Sequence, residues 1–166
     1  MKITNVEPIV LKAPLEEPWR IGTAVFTSMS SVLVRVETDE GITGHGECLV
    51  RFAPAAAAAI VDEILKPVAV GQDPFDVELI WDRMYAVMRG RGHSKGYMLE
   101  AMSGVDIALW DVMGKALGQP VHRILGSYGR TTLPVYASSL LFKPTEVLVR
   151  EAEDLVSRGY GMLKVK

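Results

Sequence analysis

The sequence predicts an α+β fold: a three-stranded antiparallel meander, then helices, then one β-α-β unit. Three observations predict this order. Apolar and other residues alternate before residue 50, and apolar residues then recur at helical spacing between residues 53 and 117. From residue 133 onward a strand, a helix and a second strand follow one another.

The meander is indicated by a regular alternation that ends in a turn. Val32, Val34 and Val36 occupy every second position, and the sequence Asp-Glu-Gly at residues 39–41 supplies turn residues. The chain then returns over residues 42–49 as the third strand.

An irregular segment is expected inside this meander, at residues 14–27. Pro14, Pro18 and Gly22 interrupt the alternation there, and proline and glycine are the residues that most often end a strand.

Three helices are predicted in the next part of the chain. The first begins in the alanine run at residues 55–59 and is expected to stop at Pro67, because proline lacks the N–H group that a helix interior uses. The second covers about 74–88. The third covers about 97–117, where apolar residues follow i, i+3, i+4, i+7 spacing.

The last part of the chain has the pattern of a β-α-β unit. Residues 133–138 read as a strand, Pro144 opens a helix that Gly159 closes, and residues 162–166 read as a second strand. Two parallel strands cannot cover both of their faces, and parallel sheets are normally covered on each side. The second domain is therefore expected to be incomplete.

Composition excludes several function classes. Eighteen Lys and Arg against twenty Asp and Glu leave a net charge of −2, which argues against binding of nucleic acid. No apolar run approaches the ~18 residues of a membrane span, and no signal peptide is recognisable. The single cysteine, Cys48, can form no internal disulfide. We expect a cytoplasmic protein with no membrane partner.

Lys164 and Lys166 are the strongest candidates for chemistry. Residues i and i+2 of a strand point to one face, so two ammonium groups share that surface. Each positive charge disfavours protonation of the other, which favours a neutral amine able to act as a base. The spacing alone also fits a solvated pair of lysines, so a wider pattern has to decide.

Four segments supply that wider pattern. They are, in chain order, Gly44-His45-Gly46-Glu47, AMSGVDIALWDVMGK at 101–115, GQPVHRILG at 118–126, and Lys164-Val165-Lys166. In this order they resemble the N-terminal part of the mandelate racemase/muconate lactonizing enzyme family, within the enolase superfamily. The resemblance implies a capping domain at residues 1–126 and the start of a truncated (β/α)₈-type barrel at residues 127–166. A complete barrel needs ~250 residues.

The resemblance also implies a mechanism. Lys166 would be the base that removes the proton α to a substrate carboxylate, and Lys164 would neutralise that carboxylate beside it. Sites of this superfamily pair a Lys or His base with Mg²⁺, which stabilises the enediolate. The family's carboxylate ligands for Mg²⁺ lie on later barrel strands, so this chain is expected to bind no catalytic metal and to be inactive alone.

Further residues match positions that contact substrate in the family. Ser138 on the first barrel strand would bind the substrate carboxylate, or it would only fill the barrel. The capping-domain segments would close over the substrate and exclude water, or serve packing alone. Their candidate residues are Trp19, Arg20, Phe26, Arg51 and Phe52.

Three other motifs are declined as sites. His45-Gly46-Glu47 has the His-x-Glu spacing of zinc deaminases but lacks their Cys-x-x-Cys partner. The glycine-rich segment at 90–96 lacks the residue order of a phosphate loop. Asp106, Trp110 and Asp111 lie in the long helix, and we expect a packing aromatic with capping or interdomain hydrogen bonds there.

Two hypotheses follow for function. The first is the N-terminal part of a Mg²⁺-dependent racemase, epimerase, cycloisomerase or acid-sugar dehydratase that acts on a small carboxylate and forms a homo-oligomer. Arg20 and Arg51 favour polar or doubly anionic substrates. The alternative is a non-catalytic capping-domain fragment with an assembly or binding role, because uncovered strands would need a partner chain.

Overall fold

The structure is a computed structural model that describes residues 1–21, 23–50, 52–126 and 129–165. The chain divides into two compact units. Unit 1 comprises Met1–Lys12 and Ser30–Ser127, and unit 2 comprises Ala13–Met29 and Tyr128–Lys166.

The predicted meander is confirmed. Three strands form one sheet in the order β1 (Ile3–Ile21), β2 (Ala24–Thr38) and β3 (Thr43–Cys48). β2 and β3 are antiparallel, with a register that runs from Val32 opposite Cys48 to Glu37 opposite Thr43. The alternating valines of β2 are all buried, as the period of two predicts.

The prediction of an irregular segment at 14–27 is wrong. β1 continues through Pro14 and Pro18 to Ile21, and β2 begins at Ala24. β1 is an edge strand of the sheet, so one side of its backbone has no partner strand. Proline is tolerated there because its missing N–H removes no bond from the ladder.

The helical region that follows has a wide turn in its first part. α1 spans Pro54–Ile60, a π-helical segment spans Val61–Leu65, and α2 spans Lys66–Ala69. The expected stop at Pro67 is therefore wrong. Pro67 lies in the first turn of α2, where a missing N–H leaves little unsatisfied, and the helix continues to Ala69.

The π segment keeps every fourth residue of this region in the core. Ala57, Val61, Leu65 and Ala69 are all fully buried. In a regular α-helix a step of four residues turns about 40° beyond one full turn, so this stripe would wind out of the core. The Lys66 N–H donates to the Val61 carbonyl, an i→i−5 bond that widens the turn and compensates for this drift.

The two remaining long helices follow the predictions closely. α3 spans Val77–Arg89, and α4 spans Tyr97–Leu117 as expected. α3 begins later than residue 74 because the Asp73 side chain accepts a hydrogen bond from the Phe75 N–H at 3.0 Å, which forms a turn instead. A short helix that the sequence did not predict, α5, covers Val121–Ile124. No described helix has the length and apolar character needed to cross a membrane.

α4 packs directly on the backbone of β3, through glycines. A Cβ atom at Gly46 would lie 2.0 Å from the Gly104 carbonyl oxygen, and one at Gly44 would lie 2.2 Å from the Ala108 carbonyl oxygen. Gly104 is equally constrained, since its Cβ would lie 2.5 Å from Cys48 Sγ. The glycines of the Gly-His-Gly-Glu motif therefore serve close packing of a helix on a strand.

The core of unit 1 lies between this sheet and the helices. Its largest fully buried side chains come from strands β1 and β2, the helical segment at 61–65, α3 and α4, and they are Ile3, Val6, Val32, Val34, Val36, Val61, Leu65, Ile80, Met84, Met88, Met102 and Leu109.

Unit 2 contains the predicted strand–helix–strand element. β4 (Ala137–Leu140) and β5 (Leu163–Val165) are parallel, and α6 (Thr145–Ser157) connects them. The strand predicted at 133–138 begins only at Ala137, because its partner β5 begins opposite that residue. The pairing has an irregular register between Ala137 and Leu140, and both of these side chains are buried.

Candidate active site

The β4–β5 pair presents one buried and one exposed set of side chains. Ala137 is buried, and Leu163, its partner across the pair, is half-buried. The flanking Tyr136, Ser138 and Lys164 are exposed, as the alternation of a strand requires. These three polar residues therefore belong to the opposite face from Ala137 and Leu163.

Lys164 is in contact with Tyr136 on this face. The Lys164 ammonium donates a hydrogen bond to the Tyr136 hydroxyl oxygen at 3.3 Å. Its Nζ atom also lies 5.3 Å from the centroid of the Tyr136 ring, within the range of a cation–π attraction. The first lysine of the Lys-x-Lys motif is thus held by an aromatic side chain from the neighbouring strand end.

Two of the residues predicted from the sequence cannot be placed. Lys166 and Arg51 lie outside the described residues. Of the two lysines of the Lys-x-Lys motif, the structure therefore describes only Lys164.

A cleft within unit 2 brings together two other predicted residues. Its volume is about 590 Å³, and both Trp19 and Ser138 line it. A neighbouring cleft of about 410 Å³ is lined by Trp19 and Arg20. The structure thus places Trp19 near both Ser138 and Arg20.

The other two candidates stand apart from this cleft lining. Phe26 is half-buried on β2. Phe52 belongs to unit 1 and is largely exposed, and its carbonyl oxygen accepts a hydrogen bond from the Tyr97 hydroxyl at 2.6 Å.

The polar side of the larger cleft carries balanced charges. Lys143 forms an ion pair with Glu151, and the Arg150 Nε donates to the Glu146 carbonyl at 3.2 Å. Asp154 lies 3.5 Å from the Arg158 guanidinium. Of the two cations that line the cleft, Lys143 is thus paired with a carboxylate and Arg150 bonds to a backbone carbonyl, while apolar side chains line much of the remaining wall.

The described residues do not supply a metal site. Over residues 1–21, 23–50, 52–126 and 129–165, no three His, Cys, Asp or Glu side chains come close enough together to hold an ion. The Mg²⁺ that the sequence resemblance implies has no ligand set among these residues.

In unit 1, Asp111 has a structural role. Its carboxylate accepts hydrogen bonds from the His45 N–H at 2.8 Å and from Lys115 at 2.7 Å. Partial burial raises the pKa of Asp111, but these two donors outweigh it and the net pKa lies below the usual value. Asp111 thereby fastens α4 to β3.

Burial raises the pKa of two other titratable groups of unit 1, the Cys48 thiol and the Asp106 carboxyl. Burial raises the pKa of the Cys48 thiol to about 11, and its sulfur lies 3.7 Å from the Ala101 carbonyl oxygen, so it is a poor nucleophile. Burial also raises the pKa of Asp106, which lines two grooves, one between α3 and α4 and the other between α4 and His45 of β3.

Sequence reasoning missed Tyr136 as a member of the site. Tyr136 lies two residues before Ser138, so the period of two places both on one face of a strand. The parallel pairing of β4 with β5 then brings Tyr136 beside Lys164. The spacing was readable, but the contact depends on the register, which the sequence does not state.

A family model matches most of the chain. The N-terminal domain of the mandelate racemase/muconate lactonizing enzyme family matches residues 5–126.

Sequence relatives match over the whole chain. A D-galactarolactone cycloisomerase from Agrobacterium fabrum is 38% identical over 170 residues, and an N-succinyl-L-Arg/Lys racemase from Bacillus cereus is 31% identical over 171 residues. Each alignment covers 100% of this chain and 44% of the relative. The chain therefore spans less than half the length of these relatives.

Solved structures show the same architecture. The crystal structure of an enolase superfamily member from Polaromonas sp. JS666 has a TM-score of 0.93 and 33% identity, and the match covers 100% of this chain and 44% of that one. The N-succinyl Arg/Lys racemase of Bacillus cereus has a TM-score of 0.83. The chain belongs to the mandelate racemase/muconate lactonizing enzyme family of the enolase superfamily, and it corresponds to the N-terminal portion of such enzymes.

Proposed function

We propose that the protein carrying this chain removes the proton α to the carboxylate of a small acid, with Lys166 as the base and Lys164 as its cationic partner. The observation that carries the proposal is the position of Lys164. It lies on the exposed face of the β4–β5 pair beside Tyr136 and Ser138, in a chain of this enzyme family.

Each lysine has a distinct role in the proposed step. The neutral amine of Lys166 takes the proton, so the substrate C–H bond breaks and an N–H bond forms. The electron pair left on carbon delocalises onto the carboxylate oxygens, and the Lys164 ammonium offsets this developing charge. Lys164 also disfavours protonation of Lys166, which keeps the base neutral.

Mg²⁺ dependence is part of the proposal through family membership alone. In general, a bound metal cation stabilises the oxygen charge of the intermediate. None of the described residues is assigned to the ion.

The cleft of unit 2 is proposed to hold the rest of the substrate. Trp19 and Ser138 both line it, which supports Ser138 as a hydrogen-bond donor to the substrate and Trp19 as a cover against water. Arg20 adjoins Trp19 in the smaller cleft and would meet a second anionic group. Phe26, Arg51 and Phe52 complete the proposed substrate-contacting set.

The substrate class is proposed to be small acids, including acid sugars. Relatives are named as a D-galactarolactone cycloisomerase, an N-succinyl-L-Arg/Lys racemase, a cis-3-hydroxy-L-proline dehydratase and an arabinonate dehydratase. Cycloisomerisation, racemisation and dehydration of a carboxylate can share loss of the α-proton as their first step. Isomerase or lyase outcome, a cytoplasmic location and a homo-oligomeric state remain part of this proposal, as do the domain bounds 1–126 and 127–166.

Exchange of the α-proton with solvent tests the proposal directly. The complete protein that carries this chain would be incubated with Mg²⁺ in D₂O with D-galactonate, arabinonate, N-succinyl-L-arginine and cis-3-hydroxy-L-proline. We expect deuterium incorporation at the α-carbon of at least one acid, measured by proton NMR. Lys166→Met should abolish this incorporation because the base is gone.

Lys2→Met is a matched control, since Lys2 is exposed in unit 1 and has no proposed role in catalysis. It should exchange like the wild type. Undiminished exchange in Lys166→Met would remove Lys166 from its role, and no exchange with any acid would contradict the proposed substrate class.

One observation favours a second candidate, an assembly role without catalysis. Large apolar side chains of unit 2 are exposed, including Leu133 at 70%, Phe142 at 79% and Val156 at 59%. Exposed apolar groups of this size suit contact with another chain. Light scattering of the complete protein distinguishes the two candidates when combined with the exchange test. A stable oligomer that exchanges no α-proton would favour assembly, and exchange would favour catalysis.

A further inference from the structure

Tyr136 makes a contact to Lys164 that depends on the pairing of two strands. Tyr136 directly precedes β4, Lys164 is the middle residue of β5, and Ala137 lies opposite Leu163 in the parallel register. Tyr136 precedes this pair and Lys164 follows it, so the two side chains meet diagonally across the pair. Their 3.3 Å hydrogen bond joins residues that are 28 positions apart in the sequence.

We infer that Tyr136 is a positioning residue for Lys164, and that it holds the Lys164 ammonium oriented toward the substrate carboxylate. This inference rests on the proposed function, in which Lys164 faces that carboxylate.

The chemistry of the pair supports this role. A lysine side chain is long and flexible, and an exposed one samples many rotamers. The phenolic oxygen of Tyr136 accepts one of the three ammonium N–H donors, which leaves two for the oxygens of a carboxylate. The nearby ring, with its centroid at 5.3 Å, attracts the ammonium and so favours this position of the side chain.

The neighbouring Ser138 adds a second argument. Ser138 follows Tyr136 by two residues, and both are exposed. Ser138 lines the proposed substrate cleft, so the contact of Tyr136 with Lys164 lies two residues along the chain from a residue of that cleft. Other cations of unit 2, such as Lys143, are held by carboxylates instead, which would weaken their attraction for a substrate anion.

The first test needs no enzymatic activity. The 166-residue chain would carry ¹³C-labelled lysine, and NMR relaxation would give the order parameter of the Lys164 ε-methylene group. We expect the wild-type value to exceed that of Lys12, an exposed lysine of β1. Tyr136→Phe removes the accepting oxygen and should lower the Lys164 value to that of Lys12.

Tyr160→Phe is the matched control for this test. It removes a hydroxyl from another aromatic ring of unit 2, one that lies 5.8 Å from the Arg158 guanidinium. The Lys164 order parameter should stay at its wild-type value in Tyr160→Phe. An unchanged Lys164 value in Tyr136→Phe, or an equal loss in Tyr160→Phe, would overturn the inference.

The second test uses the complete protein and the acid that shows the fastest α-proton exchange. Tyr136→Phe should lower kcat/KM about tenfold, the size expected for one hydrogen bond to a charged group. In a Lys164→Met background the same change should have no further effect, because Tyr136 acts through Lys164. An equal tenfold loss in both backgrounds would contradict positioning. If no acid exchanges, the proposed function fails, while the relaxation test still decides whether Tyr136 positions Lys164.

Discussion

The two units of the chain use their polar residues in opposite ways. In unit 1, Asp111, Lys115 and His45 bond to one another or to the backbone and fasten α4 to β3. In unit 2, Tyr136, Ser138 and Lys164 lie exposed on one face of the β4–β5 pair.

The two units also differ in how many of their side chains are buried. Every large, fully buried side chain among the described residues belongs to unit 1, whereas in unit 2 only Ala137 and Leu140 are buried. The difference teaches that motif residues in a well-packed unit most often serve packing and structural hydrogen bonds. Residues for catalysis or binding are better sought where exposed polar side chains share one face.

The largest expected loss of stability compares the two units directly, by truncating one buried leucine to alanine in each. Leu109→Ala opens a cavity in the core of unit 1 and should lower its free energy of unfolding by about 4 kcal/mol. Leu140→Ala should cost about 2 kcal/mol, because few buried side chains surround it. Amide hydrogen exchange followed by mass spectrometry measures both losses separately for each unit. Equal losses would contradict the contrast in packing.

A smaller loss of stability is expected when one methyl group is added at the contact between α4 and β3. Gly46→Ala would place a Cβ atom against the Gly104 carbonyl and should lower the free energy of unfolding by about 3 kcal/mol in urea titrations. Gly90→Ala is the control, because its Cβ would be 3.5 Å from its nearest neighbour, an ordinary distance. A change below about 0.5 kcal/mol is expected there. Similar stability of the two variants would show that α4 can move away from β3.

The cysteine of unit 1 should react slowly. A pKa of about 11, against a usual value of 9.0, leaves Cys48 with roughly a hundredfold less thiolate at pH 8. Modification by a chromogenic disulfide reagent should therefore be at least about a hundredfold slower in the folded chain than in the chain unfolded by urea. Equal rates in the two states would mean that the thiol is accessible and that the packing of α4 on β3 is looser than described.

The smallest effect concerns the charge of Asp111. Asp111→Asn should lower the free energy of unfolding by about 1 kcal/mol at pH 7, because it weakens the bonds from His45 and Lys115. The folded-state pKa of Asp111 is lowered, so the carboxylate's contribution is present above the usual value of 3.8 and is lost as the pH falls through the folded value. Wild type and variant should therefore converge in acid.

Asp62→Asn is the control for this measurement, since the Asp62–Lys66 pair is an exposed i,i+4 contact. It should change the unfolding free energy by only a few tenths of a kcal/mol at either pH. A difference between Asp111→Asn and the wild type that persists unchanged at low pH would show that the charge of Asp111 is not what fastens α4.

Periodic features were predictable from the sequence. The alternation in β2 and the spacing in α4 gave the correct faces, because one side of each element is buried against a core. The motif at residues 44–47 lies in a strand, as the sequence pattern predicts. The structure adds the reason for its glycines, which is the approach of a helix backbone.

The wrong strand and helix predictions concern prolines, whose energetic cost depends on the surrounding structure. Pro14 and Pro18 are tolerated because β1 is an edge strand, and Pro67 is tolerated because it follows a π turn. An edge position and a widened turn depend on neighbours in space, which local patterns do not contain. The contact of Tyr136 with Lys164 was missed for the same reason, since it follows from a strand register.

The π segment lets this helical region hold one residue more than a regular α-helix would need. Deleting one residue between Val61 and Leu65 would change the spacing of the buried stripe Ala57, Val61, Leu65 and Ala69 from 4-4-4 to 4-3-4. At about 100° per residue, a regular α-helix keeps that spacing on one face. Such a deletion should therefore leave Leu65 and Ala69 in the core and remove only the widened turn.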